Sequence, residues 1–451
     1  MKTDANANGQ REKLLSSLFE GYEGPGFAVR FWDGWRWQSS LNDEPKCTIV
    51  VNSANALRSL LLRPSEVTLG EAFLAKEIDV EGDLFFVFDV AEHVFHGSKG
   101  RRRRILEAAS GLFLGTVAGL ASGWRHSQKR DRESISYHYD QPVAFYRPWL
   151  GESLVYSCAY FQSPHHDVDV AQASKLELIC RKLRLQPGQR FLDIGCGWGS
   201  LILHAASRHN VDAYGITLSK EQKAVASSRI AASRLTACCH VELLDYRKTL
   251  ETFPPFDKIA SVGMFEHVGL QNLPLYFRTA HSLLKPGGVF LNHGIARAHA
   301  PSGKNLSFLD RSVVPFLRNV LGLSRPRHSS FIDKYVFPDG ELVTLPQAAL
   351  AAEAAGFEVR DVENLREHYE RTLRCWVDGL RENADVLLKL VPEKTYRIWL
   401  LYMAGSAAAF KRGDIALYQM LLSRPDRGNS HLPLTREDWY TESLYAEEVE
   451  A

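Results

Sequence analysis

Short apolar runs alternate with amphipathic stretches through the middle of the chain, and the spacing predicts a β/α repeat. Arg190 to Ile194 reads as a buried parallel strand, followed by glycines at every second position, Gly195, Gly197 and Gly199. Leu201 to Ala206 then opens a helix. Asp212 to Leu218 is a second strand, followed by a polar turn, Ser219 to Gln222, and another helix. Val241 to Arg247 holds a third strand ending in Asp245, and Phe256 to Val262 a fourth that runs into Gly263–His267. Leu284 to Leu291 gives a helix end, a Pro-Gly-Gly turn and a fifth strand ending at His293. Strands and helices alternating at this spacing predict an α/β fold with a doubly wound parallel sheet. The polar residues just named fall at strand C-termini, where such sheets bind ligands.

Upstream the pattern changes. Phe27 to Trp37 alternates apolar and polar positions as half-buried strands do, and Thr48 to Asn52 is another short strand. Residues 1–25 read as a polar, helical segment, 26–98 as a small α+β domain, 99–133 as a basic linker helix, 134–425 as the domain holding the β/α repeat and 426–451 as a tail.

Composition adds limits. At 451 residues the chain is long enough for two or three domains, and 45% hydrophobic with 24% charged residues is ordinary for a globular protein. A net charge of +1 gives no field that would draw it to nucleic acid. Seven cysteines without a CxxC pair suit reduced thiols. The first sixteen residues are polar and lack a signal-peptide core, so a cytoplasmic location is expected. Arg101–Arg104, Arg125, Lys129 and Arg130 face a single acid, Glu107, and flank the apolar stretch Ile105 to Trp124. Its glycines, its small polar residues and Glu107 speak against a membrane span. Two readings stand: an interfacial helix with arginines on lipid phosphates, and a solvated linker.

The glycine turn after Ile194 lets backbone approach a ligand where any Cβ would collide, although GxGxG alone also occurs in NAD sites and in ligand-free turns. Further segments narrow the choice: YSCAYF at Tyr156–Phe161, FLDIGCGWGS at Phe191–Ser200, GITLSKEQ at Gly215–Gln222, MFEHVG at Met264–Gly269, HGI at His293–Ile295, KYVFPDGEL at Lys334–Leu342, and Tyr369. In this order they resemble the class I S-adenosylmethionine-dependent methyltransferases. Within these the chain resembles the cyclopropane-fatty-acyl-phospholipid synthase and mycolic acid cyclopropane synthase family, closely over residues 137–423.

The resemblance implies a Rossmann-like methyltransferase domain with a smaller N-terminal α+β lipid-associated domain, carried by Gly70–Leu84. It implies S-adenosylmethionine as donor and membrane phospholipids with unsaturated acyl chains as substrate, reached by peripheral contact with the inner face of the membrane. Methyl transfer to an isolated double bond leaves a carbocation, which needs a nearby base and walls that tolerate positive charge. The family resemblance assigns the base to a bound bicarbonate, caged by Cys158, Glu266, His293, the backbone of Ile295, and Tyr369. Singly, Cys158 reads as a packed small hydrophobe and His293 as a satisfied histidine; the joint set in family order is what points to a site. By the same resemblance Tyr156 and Ser157 are lid contacts, and Asp193, Gly195 and Gly197 approach the methionine and ribose. Thr217 and Gln222 meet the ribose hydroxyls or methionine end, and Asp245 with Tyr246 the adenine. Cys196 packs in the turn, since direct displacement needs no covalent intermediate. No metal is expected.

Two departures stand out. Where many relatives carry a cysteine near the C-terminus, Met403–Phe410 has Ser406. The gap between His293 and Tyr335 is long for the family, and the 301–330 stretch reads as an acyl-site cover, a membrane contact, a homodimer contact or a surface insertion. Sibling chemistries on this fold are fatty-acid C-methylation, giving methyl or methylene branches, and small-amine N-methylation. A non-enzymatic lipid carrier would predict a decayed cofactor motif, and FLDIGCGWGS is intact.

Overall fold

The computed structural model describes residues 2–40, 43–56, 65–96, 141–297, 331–336 and 341–440. The basic stretch 101–130 and the 301–330 insertion lie outside the described residues. Contacts divide the chain into two units: Met1–Trp124 with Pro301–Pro338 and Asp385–Ala408, and Arg125–Ala300 with Asp339–Ala384 and Ala409–Ala451.

In the first unit the alternation of Phe27–Trp37 resolves into a hairpin, β1 (Ala28–Phe31) and β2 (Arg36–Gln38). The sheet continues through β3 (Cys47–Val51) and β4 (Ile78–Gly82) in the order β2-β1-β3-β4. Helices Lys2–Leu18, Glu66–Leu74 and Phe86–His96 accompany it, burying Leu15, Phe27, Phe31, Phe86 and Val90 in one core. Residues 385–408, inside the stretch read as 134–425, belong to this unit, where the Arg397 guanidinium lies 3.9 Å from the Phe73 ring and its Nε donates to the Phe73 carbonyl at 2.8 Å. Ser406 is buried in the same unit.

The second unit is the expected doubly wound sheet. Five parallel strands, β5 (Arg190–Ile194), β6 (Asp212–Thr217), β7 (Cys239–Leu243), β8 (Phe256–Val262) and β9 (Leu284–Arg297), lie in the order β9-β8-β5-β6-β7. Side chains alternate between two cores, so Phe191, Val289 and Leu291 pack on one face and Leu192, Ile194 and Phe290 on the other. Two strands absent from the sequence reading, β10 (Glu358–Asn364) and β11 (Ile415–Ser423), extend the sheet beyond β9, with β11 antiparallel to both neighbours.

Three boundaries differ from the sequence reading, each for a local reason. Ser219 caps the helix Lys220–Ala232 by accepting from the Gln222 N–H at 3.2 Å, so Gln222 sits in a first helical turn and not in a loop. Strand β7 stops at Leu243, because the Asp245 side chain caps a short 3-10 turn, Tyr246–Lys248. Strand β9 passes His293 and runs to Arg297, since β11 pairs along it from Val289 to Arg297.

Candidate active site

Strand β5 delivers Asp193 and then the glycine turn. Gly195 takes a φ of +87°, and a Cβ there would stand 2.9 Å from the Met264 Cβ, so only glycine fits. The N–H groups of Gly195 and Cys196 both donate to the Ile216 carbonyl at 3.0 Å, tying the turn to β6. At the ends of β5, β6 and β8 lies a cavity of about 140 Å³. Tyr156, Ser157, Asp193, Gly195, Gly197, Thr217, Gln222 and Tyr246 line it. Thr217 Oγ1 donates to Gln222 Oε1 at 2.7 Å, which joins the second strand to the helix that follows it. Asp245 is the exception: both its oxygens are bonded to Arg247, at 2.9 and 2.6 Å, and it is Arg247 that reaches the cavity.

Two opposite charges share this cavity without pairing. Lys175, on the helix Val168–Leu183, is 1% exposed and donates to Ser157 Oγ at 2.8 Å. Asp193 is buried, with Oδ1 lacking any hydrogen-bond partner, and burial pushes its carboxyl up to about 7 against the pull of Lys175. Burial likewise pushes the Lys175 ammonium down to about 8. An ammonium with donors to spare and a carboxylate with an open oxygen suit the carboxylate and ammonium of an amino-acid head, such as the methionine end of S-adenosylmethionine. The sequence reading missed Lys175, and also Trp198, Met264 and His267 in the lining.

Beyond β8 the 3-10 turn Phe265–His267 presses against β9. A Cβ on Gly294 would fall 2.8 Å from Phe265 Cδ1, so this glycine allows the approach. Glu266 then accepts from the Ile295 N–H at 2.6 Å through Oε1, while Oε2 is buried and unpartnered. That N–H, expected to face an anion, is thus occupied by Glu266. Burial pushes the Glu266 carboxyl up to about 7, opposed by the Ile295 N–H. His293 is wholly buried and held well below the usual imidazole range by burial and by Lys175 and Lys182; its Nε2 has no partner. The Cys158 thiol, raised by burial, donates to the carbonyls of Ala159 at 3.2 Å and Leu365 at 3.8 Å. Cys196 is buried in the lining of the cavity, and burial pushes its thiol up as well.

Tyr369 belongs to an aromatic cluster. Its ring centroid lies 4.7 Å from Phe410 and 6.1 Å from Trp376, and Trp376 in turn meets Tyr156 at 5.3 Å and Trp149 at 5.9 Å. Through Tyr156 this cluster reaches the cavity. Elsewhere Cys180, His204 and His209 bring one potential metal-ligating atom each within 4.8 Å. There Glu177 Oε2 already bonds both imidazoles, at 3.0 and 3.1 Å, and Arg181 bonds its other oxygen. None of these residues lines the cavity.

Comparison with known proteins agrees with this architecture. Residues 126–420 match the family model described as mycolic acid cyclopropane synthetase, and residues 12–96 match a domain family of unknown function. A "Probable fatty acid methyltransferase" of Pseudomonas putida is 39% identical over 416 residues, 91% of this chain and 95% of that protein. The cyclopropane-fatty-acyl-phospholipid synthase of Escherichia coli K12 is 35% identical over 308 residues, 68% of this chain and 72% of its own. Mycolic acid cyclopropane synthase CmaA1, solved with S-adenosylhomocysteine and CTAB, superposes with a TM-score of 0.56 at 33% identity, over 64% of this chain and 97% of that one. The intact glycine turn, the charged cavity at the strand ends and these matches place the chain in the mycolic acid cyclopropane synthetase family, as an S-adenosylmethionine-dependent methyltransferase.

Proposed function

We propose that the protein moves a methylene unit from S-adenosylmethionine to the cis double bond of unsaturated acyl chains in membrane phospholipids, with a bicarbonate ion beside Glu266 and His293 receiving the proton. One observation carries the reading: Glu266 Oε2 and His293 Nε2 are buried polar atoms with nothing to bond, a costly arrangement unless a small polar guest completes it. When bound, the sulfonium donor supplies the methyl group and the bicarbonate an oxygen base. The protein's own part is positioning and exclusion of water.

Lys175 and Asp193 would hold the donor's amino-acid head, and the glycine turn admits its backbone-close approach. Methyl transfer to the double bond would break the S–CH3 bond of the bound sulfonium, releasing neutral S-adenosylhomocysteine and leaving the positive charge on the acyl chain. Tyr156, the member of the aromatic cluster that lines the cavity, would offer a π face that stabilises a cation without forming a bond to it. A proton then leaves the new methyl group and its electron pair closes the ring. Glu266, with its carboxyl near 7, carries a proton in much of the population at neutral pH, so Oε2–H can donate to an anion that a carboxylate would repel.

A second reading is fatty-acid C-methylation, favoured by the name of the Pseudomonas putida relative, which covers 91% of this chain. Both share the cation and differ in which proton leaves. Expression in a bacterial host lacking its own synthase, followed by gas chromatography–mass spectrometry of membrane fatty acids, separates them. Ring-type fragmentation with a gain of one methylene is expected. Branched products would transfer the assignment to C-methylation, and unaltered lipids would remove both.

A further inference from the structure

We infer that Lys182 and Gln419 act as positioning residues that lock His293 in the tautomer carrying its proton on Nε2, so that the imidazole serves the site as a hydrogen-bond donor and never as a base. The inference rests on the proposed function only in assuming that an anion faces His293.

Three neighbouring strands set up the arrangement. Glu363 on β10 stands opposite Gln419 on β11, and Gln419 stands opposite His293 on β9. Directly opposed residues project to the same face of a sheet. Lys182, from the last turn of the helix Val168–Leu183, reaches this row with its side chain 1% exposed. It donates to Gln419 Oε1 at 2.7 Å and to Glu363 Oε2.

Donor and acceptor counting does the rest. An ammonium has only hydrogens to offer, so the amide of Gln419 must turn its oxygen toward Lys182. Its nitrogen then lies 3.2 Å from His293 Nδ1. An amide NH₂ can only donate, which obliges Nδ1 to receive with its lone pair. A neutral imidazole with a bare Nδ1 holds its proton on Nε2. Burial and the two nearby lysines oppose a second proton. Nε2 is itself buried without a partner, a donor awaiting an acceptor.

The mechanistic consequence is specific. With Nδ1 engaged and Nε2 protonated, His293 has no lone pair for the proton released on the acyl chain, so another base must take it. A merely structural row would stiffen the sheet and leave the tautomer free.

The test uses full-length protein labelled with 15N-histidine and long-range proton–nitrogen correlation of the imidazoles near neutral pH. The His293 signals are identified by their loss in His293→Gln. A protonated Nε2 and a bare Nδ1 are expected. In Gln419→Glu the donating nitrogen becomes a carboxylate oxygen, which should draw the proton to Nδ1. Turnover should fall roughly 100-fold, the scale seen when one oxyanion donor is lost. S-adenosylhomocysteine affinity should stay within about twofold, as expected for a change outside the cofactor cavity. Lys182→Arg, still a donor-only cation, should keep the wild-type tautomer.

A wild-type imidazole protonated on Nδ1, or on both nitrogens, overturns the inference. So does a Gln419→Glu protein with unchanged tautomer and turnover. Should that variant fail to fold, the wild-type spectrum alone decides. The expected spectrum in an enzyme indifferent to carbonate depletion would leave the tautomer lock standing and remove only the bicarbonate reading.

Discussion

Glu266 and Asp193 are carboxylic acids at neighbouring strand ends, both driven up to about 7 by burial, and both keep one oxygen unpartnered. For Glu266 the sign of the stability effect follows directly. A carboxyl raised from 4.5 favours the folded state while protonated; this contribution is complete below 4.5 and is lost as pH rises through about 7. The loss amounts to about 3 kcal/mol over that window. Glu266→Gln keeps an acceptor for the Ile295 N–H and cannot ionise. Denaturant unfolding in carbonate-free buffer should therefore show wild type losing stability relative to the variant between pH 5 and pH 8. Asp193 titrates in both proteins and cancels in the difference. Parallel pH profiles would show that Glu266 is not held neutral. Lys175 gives a separate test in binding alone. Lys175→Met fills the same volume without charge, and losing a buried charged hydrogen bond should weaken S-adenosylhomocysteine by roughly 10- to 100-fold in calorimetry. The affinity for 5′-methylthioadenosine, which has no amino-acid head, should not change. Equal losses for both ligands would mean that Lys175 only supports the fold.

Elements whose apolar pattern repeats locally were legible in the sequence; those defined by partners were not. Strands β5, β6, β8 and β9 each carry a buried run, and the cofactor cavity assembles at the C-terminal ends of β5, β6 and β8. Strand β10 (EVRDVEN) alternates exposed and half-buried positions and has no apolar run, so only its pairing with β11 makes it a strand. The same long-range pairing carries β9 past His293 to Arg297, which puts His293 inside a strand and Gln419 beside it. Lys175 and Lys182 were overlooked because lysines in a helix read as solvent-facing. Here they lie on the buried face with Ala171, Leu178 and Ile179, at positions an apolar stripe would normally fill. A charged residue in register with such a stripe is the signal that was available. Asp245 shows the opposite failure, for sequence order cannot reveal that the neighbouring Arg247 captures its carboxylate.

At the scale of the whole molecule, the proposed substrate holds its double bond within a bilayer, which the protein would have to reach. No helix among the described residues is long and apolar enough to cross a membrane. The sequence offers Arg101–Arg104, Arg125, Lys129 and Arg130, opposed by Glu107 alone, around an apolar stretch. Each basic residue close to an anionic bilayer contributes about 1 kcal/mol, and the attraction is screened by salt. Replacing Arg101–Arg104 by glutamine should then lower partitioning onto phosphatidylglycerol vesicles by roughly 100-fold or more at low salt, measured by flotation. Wild-type binding should weaken with added salt, and the variant's salt dependence should be shallower. Turnover on the same phospholipid dispersed in neutral detergent micelles should be unaffected, because the residues lining the cofactor cavity, Glu266 and His293 are unchanged. Equal flotation of the two proteins would make the stretch a solvated linker. Lost turnover in micelles would instead give these arginines a part in substrate binding itself.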